Sequence, residues 1–230
     1  MQWPGRGSLD WARVERFNTG GPIDDPTQPT LQRCRGVRPR GHAGQTRKGT
    51  TIPYLYHLLG VASLVLEHGG DEHQAIAGLL HDVVEDCGTA HAKRIREQFG
   101  DTVARIVADC TDGSAESKQS AVTPEGRRAD WLQRKRSYLA HLAQVDAYSL
   151  LVSGCDKLHN ARAILADIEG DAGLAVFERF TGGMEGSLAY YASIAELLSD
   201  RAAPMHAAFE RVVARMHVLA GQERRGQRIR

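Results

Sequence analysis

The stretch Leu79-Leu80-His81-Asp82-Val83-Val84-Glu85-Asp86 constrains this chain more than any other. It sets one imidazole and three carboxylates within about a turn and a half of a predicted helix. At 3.6 residues per turn, His81 and Glu85 share a face, and Asp82 and Asp86 lie one position round from them. Ile76, Leu79, Leu80, Val83 and Val84 fill much of the remaining surface, so the helix is expected to be buried. Ionisable groups in a buried helix are costly unless something compensates them. A divalent cation would do so, because His offers nitrogen and Asp offers oxygen to the same ion. A carboxylate outside the ligand set can then take the proton of an attacking water. A His-Asp pair alone carries little weight, and its meaning depends on the rest of the chain.

Helical periods dominate that rest, and the fold class is all-α, a helical bundle. Pro53 is expected to open a helix through Leu66, stopped by Gly69-Gly70. Asp71 can cap the next helix, the one carrying His81-Asp82. Thr89 begins a third, ended by Gly100, and Asp101 caps a fourth. Residues 112–125 form a polar loop long enough to suggest function or mobility. A charged helix around Trp131–Leu139 follows, then a long one from about Asp146 to Glu169. Later helices are marked by apolar faces at Phe177/Phe180, at Leu188/Tyr191/Ile194/Leu197 and at Phe209/Val212/Val213/Met216. Residues 1–40 are rich in Gly, Pro and Arg without a sustained period and read as a poorly ordered extension; 41–200 read as the domain, and 201–230 as a C-terminal helix with a basic tail.

Composition narrows the function classes. A formal net charge of +1 argues against a nucleic-acid binder that relies on phosphate neutralisation. Cys34, Cys87, Cys110 and Cys155 form no C-x-x-C pair, so neither a zinc ribbon nor a disulfide framework is implied, and a reducing cytoplasm suits them. Neither a leader nor a membrane span is legible.

Three predicted helices each bring a candidate metal ligand: His57, His81-Asp82 and Asp156. Asp156 and Asn160 share a face at i,i+4. At this level Asp156 can equally pair with Lys157 or Arg162, and His57 can equally be a hydrogen-bonded core histidine.

The order His57 … His81-Asp82 … Asp156 resembles the H…HD…D pattern of the HD-domain phosphohydrolases. It is most similar to the hydrolase domain of the RelA/SpoT alarmone enzymes and their stand-alone relatives. The likeness rests on Arg47-Lys48, on Pro53-Tyr54-Leu55-Tyr56-His57 and on the 79–86 stretch. It extends through Phe99-Gly100, Val103-Ala104 and Arg134-Lys135 to Asp156-Lys157-Leu158-His159-Asn160-Ala161-Arg162, and covers roughly 42–198. The resemblance implies that His57, His81, Asp82 and Asp156 hold one divalent ion, typically manganese. It implies that Glu85 and Asp86 orient and deprotonate water, and that Arg47, Lys48 and Asn160 contact a nucleotide. The expected function is 3′-pyrophosphate removal from guanosine-3′,5′-bis(diphosphate). The alternatives are hydrolysis of another nucleotide or small phosphoester, and a nucleotide-binding regulator without turnover.

The chain departs from the family in three places. Leu31–Arg40, with Gly36 and Pro39, is a poor helix where the family has a full one; Ala163 replaces a common Thr; and the 112–125 loop is unlike the family's short charged segment. Deleting residues 1–40 is expected to leave the melting temperature little changed, because that stretch lacks a periodic apolar face. A large fall in thermal denaturation would show that it is packed.

Overall fold

The computed structural model describes residues 44–88, 90–111, 123–222 and 229, apart from the side chains of Asp86 and Cys87. The expectations for residues 1–40, for most of the 112–125 loop and for the basic tail therefore fall mainly outside the described residues. Eight α-helices and one 3-10 helix make up the described fold. They are α1 (Leu55–Glu67), α2 (Glu72–Leu80), α3 (Val83–Cys87), α4 (Ala90–Cys110), α5 (Pro124–Leu142), α6 (Ala147–Glu169), the 3-10 helix Gly173–Arg179, α7 (Gly183–Asp200) and α8 (His206–Leu219). Among the described residues β pairing is confined to an isolated antiparallel bridge, Thr46 to Pro53. No described helix is long and apolar enough to cross a membrane.

The local signals act where the sequence puts them. Helix α1 ends on His68, whose amide donates to Leu64, and Gly69 then takes φ +83°, a conformation open to glycine at little cost. Asp71 accepts from the Gln74 amide while the Gln74 side chain accepts from the Asp71 amide, a reciprocal cap for α2. Asp146 caps α6 through the Ser149 amide at 2.8 Å. The helices expected on either side of Gly100 do part there: within α4, Gly100 adopts φ +83° and ψ 174°, outside the helical region, and divides the span into two helical segments. Helix α5 begins earlier than expected, at Pro124 behind a Thr123 cap, so Glu125 belongs to the helix and not to the loop.

Helix α6 is the centre of the bundle. It packs against α1, α2, α4, α8 and the 3-10 helix. Residues 149–156 are buried without interruption, so this part of the helix has no solvent face. Gly154 permits the approach of Met205, since a Cβ there would lie 2.7 Å from the Met205 sulfur. Val152, Leu158, Val61, Ile76 and Phe99 close the core around it.

One expectation is corrected. The 79–86 stretch is not a continuous helix, because α2 stops at Leu80 and α3 starts at Val83. His81 and Asp82 occupy the break, Asp82 with φ −90° and ψ −7°. The Gly78 carbonyl, which a continuous helix would assign to the Asp82 amide, accepts from His81 Nδ1 at 2.8 Å. The break turns both side chains toward α1 and α6.

Asp71 joins two elements, since the Tyr148 hydroxyl of α6 also donates to its carboxylate. Asp71→Ala is expected to cost ~1–2 kcal/mol, read from the midpoint of urea unfolding. An unchanged midpoint would show that the cap contributes nothing to global stability.

Candidate metal centre

Four side chains from α1, the α2–α3 break and α6 meet in the interior. His57 Nε2 lies 3.3 Å from His81 Nε2, 3.2 Å from Asp156 Oδ1 and 3.5 Å from Asp82 Oδ2. His81 Nε2 lies 3.0 Å from Asp82 Oδ2 and 3.5 Å from Asp156 Oδ1. His57, His81 and Asp156 are buried, and Asp82 is half-buried. Donors bound to one divalent ion at ~2.0–2.2 Å sit roughly 3–3.5 Å from their neighbours around it. These five separations match that spacing; His57, His81 and Asp82 lie close enough together to share one divalent cation, and Asp156 adjoins both histidines.

The orientation of each donor is fixed from outside. His81 Nδ1 donates to the Gly78 carbonyl, so Nε2 is the nitrogen that gives up its proton when the ring becomes neutral. His57 Nδ1 meets His159 Nδ1 at 3.0 Å. The Tyr54 hydroxyl donates to Asp82 Oδ2. Asp156 Oδ1 accepts from Asn160 Nδ2 at 2.7 Å, while its Oδ2 accepts from Lys157 Nζ at 2.6 Å. Asp156 therefore does both things the sequence left open for it: one oxygen pairs with Lys157 and the other faces the histidines.

The electrostatics follow from burial and proximity. Burial would raise the Asp156 carboxyl, but Lys157 and His81 outweigh it and hold the group well below the usual carboxylate range. Burial acts likewise on Asp82, and His81 with His57 outweighs it. For His81 burial would favour the neutral ring, yet Asp82 and Asp156 lift it well above the ordinary histidine value. Burial, followed by His57 and Arg47 nearby, lowers His159 to about 4, so that ring is neutral. Burial also raises Cys110 to about 11 and pushes Cys155 up, which makes both inert thiols.

Other candidates fall into place unevenly. Arg47 is held over the site by its loop, where the Arg47 amide donates to Ile52 and the Tyr54 amide donates to Gln45. Its guanidinium donates to Asn160 Oδ1 at 2.9 Å, completing a chain from Arg47 through Asn160 to Asp156. Lys48 is exposed on the same loop and does not line the cavity beside the cluster. Glu85 is half-buried in α3, and the Asp86 side chain lies outside the described residues.

That cavity holds about 270 Å³, and its lining includes Arg47 from the loop before α1, Trp131 and Lys135 from α5, Lys157 and Asn160 from α6, and Tyr190 from α7. Its described lining carries three cations and no carboxylate. Sequence reasoning missed Tyr54 as a partner of Asp82, and it also missed His159 and the α5–α7 wall. The i,i+3 spacing of His159 from Asp156 was a usable signal; nothing in the linear pattern places Trp131 in one cavity with Arg47.

The HD domain family model matches residues 37–176. The chain belongs to the HD-domain family. Similar curated proteins include a GTP pyrophosphokinase of Myxococcus xanthus, 33% identical over 140 residues, which are 61% of this chain and 18% of that protein. They also include the guanosine-3′,5′-bis(diphosphate) 3′-pyrophosphohydrolase MESH1 of Xenopus tropicalis, 35% identical over 53% of this chain and 62% of that one. The chain spans 14% to 18% of the length of the first GTP pyrophosphokinase and diphosphokinase relatives it matches. Among solved structures, one from Listeria monocytogenes EGD-e aligns with a TM-score of 0.56 and 25% identity, over 68% of this chain and 96% of that one. A metazoan ortholog of SpoT aligns with the same TM-score at 23% identity, over 80% and 90% of the two chains, and shares the fold.

Metal uptake by this cluster is expected to displace a proton, because the lifted pKa leaves His81 protonated near pH 7 before an ion arrives. Calorimetric titration with Mn²⁺ in two buffers of different ionisation enthalpy should report release of about one proton. Binding should tighten as pH rises. Zero proton release at pH 7 would contradict a protonated His81.

Proposed function

We propose that this HD-family chain is a divalent-metal-dependent phosphohydrolase that removes the 3′-pyrophosphate of guanosine-3′,5′-bis(diphosphate). The observation that carries the proposal is the meeting of the His57 and His81 nitrogens with one another and with both Asp82 and Asp156 at 3.0–3.5 Å, beside a cavity lined by Arg47, Lys135 and Lys157. The resident ion in this reading is manganese, held by those four residues. Bound there, it would neutralise phosphoryl charge and acidify a water molecule.

The chain's own groups do the rest. Glu85, with Asp86, takes the proton of the attacking water from its place one turn beyond His81. Arg47, Lys135 and Lys157 hold the diphosphates of the substrate in the cavity, and Lys48, exposed on the Arg47 loop, attracts them from outside it. Asn160 bridges the two regions, since it donates to Asp156 and accepts from Arg47. Trp131 and Tyr190 offer apolar faces for the nucleoside. MESH1 carries the named activity and supports the substrate assignment; the hydrolysis of another nucleotide and a binding role without turnover are the rivals.

A nucleotide panel with Mn²⁺-loaded protein tests the reading. Pyrophosphate should appear from the guanosine bis(diphosphate) and not from GDP. Glu85→Gln should keep its metal content and lose turnover by ~100-fold or more, because proton transfer is removed while the donors stay. Release from a different nucleotide would replace the substrate. Tight binding with no product from any nucleotide would favour the regulator.

A further inference from the structure

We propose that His159 is a positioning residue for the metal centre: its Nδ1 accepts the Nδ1–H of His57 and keeps His57 Nε2 as the bare donor. The inference rests on the reading of His57 as a ligand. A neutral imidazole carries one N–H and one lone pair, so whatever fixes the proton on one nitrogen decides what the other can do. His57 Nε2 faces His81, Asp82 and Asp156, and Nδ1 faces His159 at 3.0 Å. For Nε2 to hold a cation, the proton must sit on Nδ1, and His159 Nδ1 must then be the acceptor.

A second, independent feature holds His159 in that place. Gly60 lies one turn beyond His57 in α1, and His159 lies one turn beyond Asp156 in α6. A Cβ on Gly60 would stand 2.1 Å from His159 Nε2 and 2.3 Å from its Cδ2. The missing side chain of Gly60 is therefore the socket into which the His159 ring enters. A mid-helix glycine is unfavourable by propensity, and here the ring that fills the space of the missing side chain accounts for it. The Tyr56 ring closes the outer side, edge-on to His159 with centroids 5.1 Å apart. The ring is buried.

The two histidines of the cluster are thus supported differently. His81 gives its Nδ1–H to a backbone carbonyl, which can only accept. His57 gives its own to a side chain, which accepts at Nδ1 only when its proton is on Nε2. Helix α6 consequently supplies both a donor, Asp156, and the partner that orients the donor of α1. Outer partners of metal-bound histidines change metal affinity by ~10–100-fold when removed.

The test uses the full chain and reads metal binding, not turnover. In the Zn²⁺-loaded protein, a diamagnetic state, ¹⁵N spectra of the imidazoles should show His57 protonated at Nδ1 and His159 protonated at Nε2. A His159 ring protonated at Nδ1 would overturn the proposal, and this measurement needs no variant. By Mn²⁺ calorimetry, His159→Phe, which fills the socket without an acceptor, should weaken binding by ~10-fold or more. His159→Asn, whose Oδ1 sits near the place of Nδ1, should recover part of that loss. Gly60→Ala should weaken binding similarly while leaving every donor in the chain. Wild-type affinity in both His159→Phe and Gly60→Ala would reduce His159 to packing. His57→Ala separates the two readings: if it binds Mn²⁺ as wild type does, the assignment of His57 as a ligand fails first.

Discussion

Two carboxylates and two imidazoles share a volume in which each carboxylate lies 3.0–3.5 Å from both imidazoles. Such a cluster is costly in a protein interior unless the charges are balanced and every lone pair has a partner. Much of the architecture around it answers that requirement. Lys157, Asn160 and Tyr54 satisfy the carboxylates, while the Gly78 carbonyl and His159 satisfy the outer nitrogens. The surrounding core of Val61, Leu80, Val152 and Leu158 excludes water and raises the strength of each of these contacts.

Helix α6 links this cluster to the neighbouring cavity. Asp156, Lys157, His159 and Asn160 follow one another along little more than one turn and look in different directions. Asp156 faces the histidines, Lys157 and Asn160 line the cavity, and His159 enters the socket of Gly60. Because α6 is packed on nearly every side, these directions are set by the core and not by the site itself. The Arg47–Asn160–Asp156 chain joins the His–Asp cluster and the neighbouring cavity in one hydrogen-bonded network. Arg47 and Asp156 are thus joined through a single side chain, Asn160.

Much of this was legible in the sequence. The end of α1 at Gly69, the Asp71 cap and the span of α6 rest on signals a few residues long, and short-range physics does not need the fold. The grouping of His57, His81, Asp82 and Asp156 was legible through the resemblance, and the all-α class through periodicity. The continuous helix through 79–86 was not sound, because a short apolar run with helical period carries no mark for a break. The break depends on the His81 ring reaching the Gly78 carbonyl, a choice made by the buried position of that ring.

The sequence by itself determined the helix ends that carry a cap or a glycine, as at Gly69, Asp71 and Asp146, and which residue types could bind a cation. Only the tertiary structure decided which nitrogen of each histidine faces inward, that Asp156 serves Lys157 and the histidines at once, and that Trp131 and Lys135 line the same cavity as Arg47. Those facts depend on the rotation and register of one helix against another. Packing of whole faces fixes that register, and no local pattern encodes it.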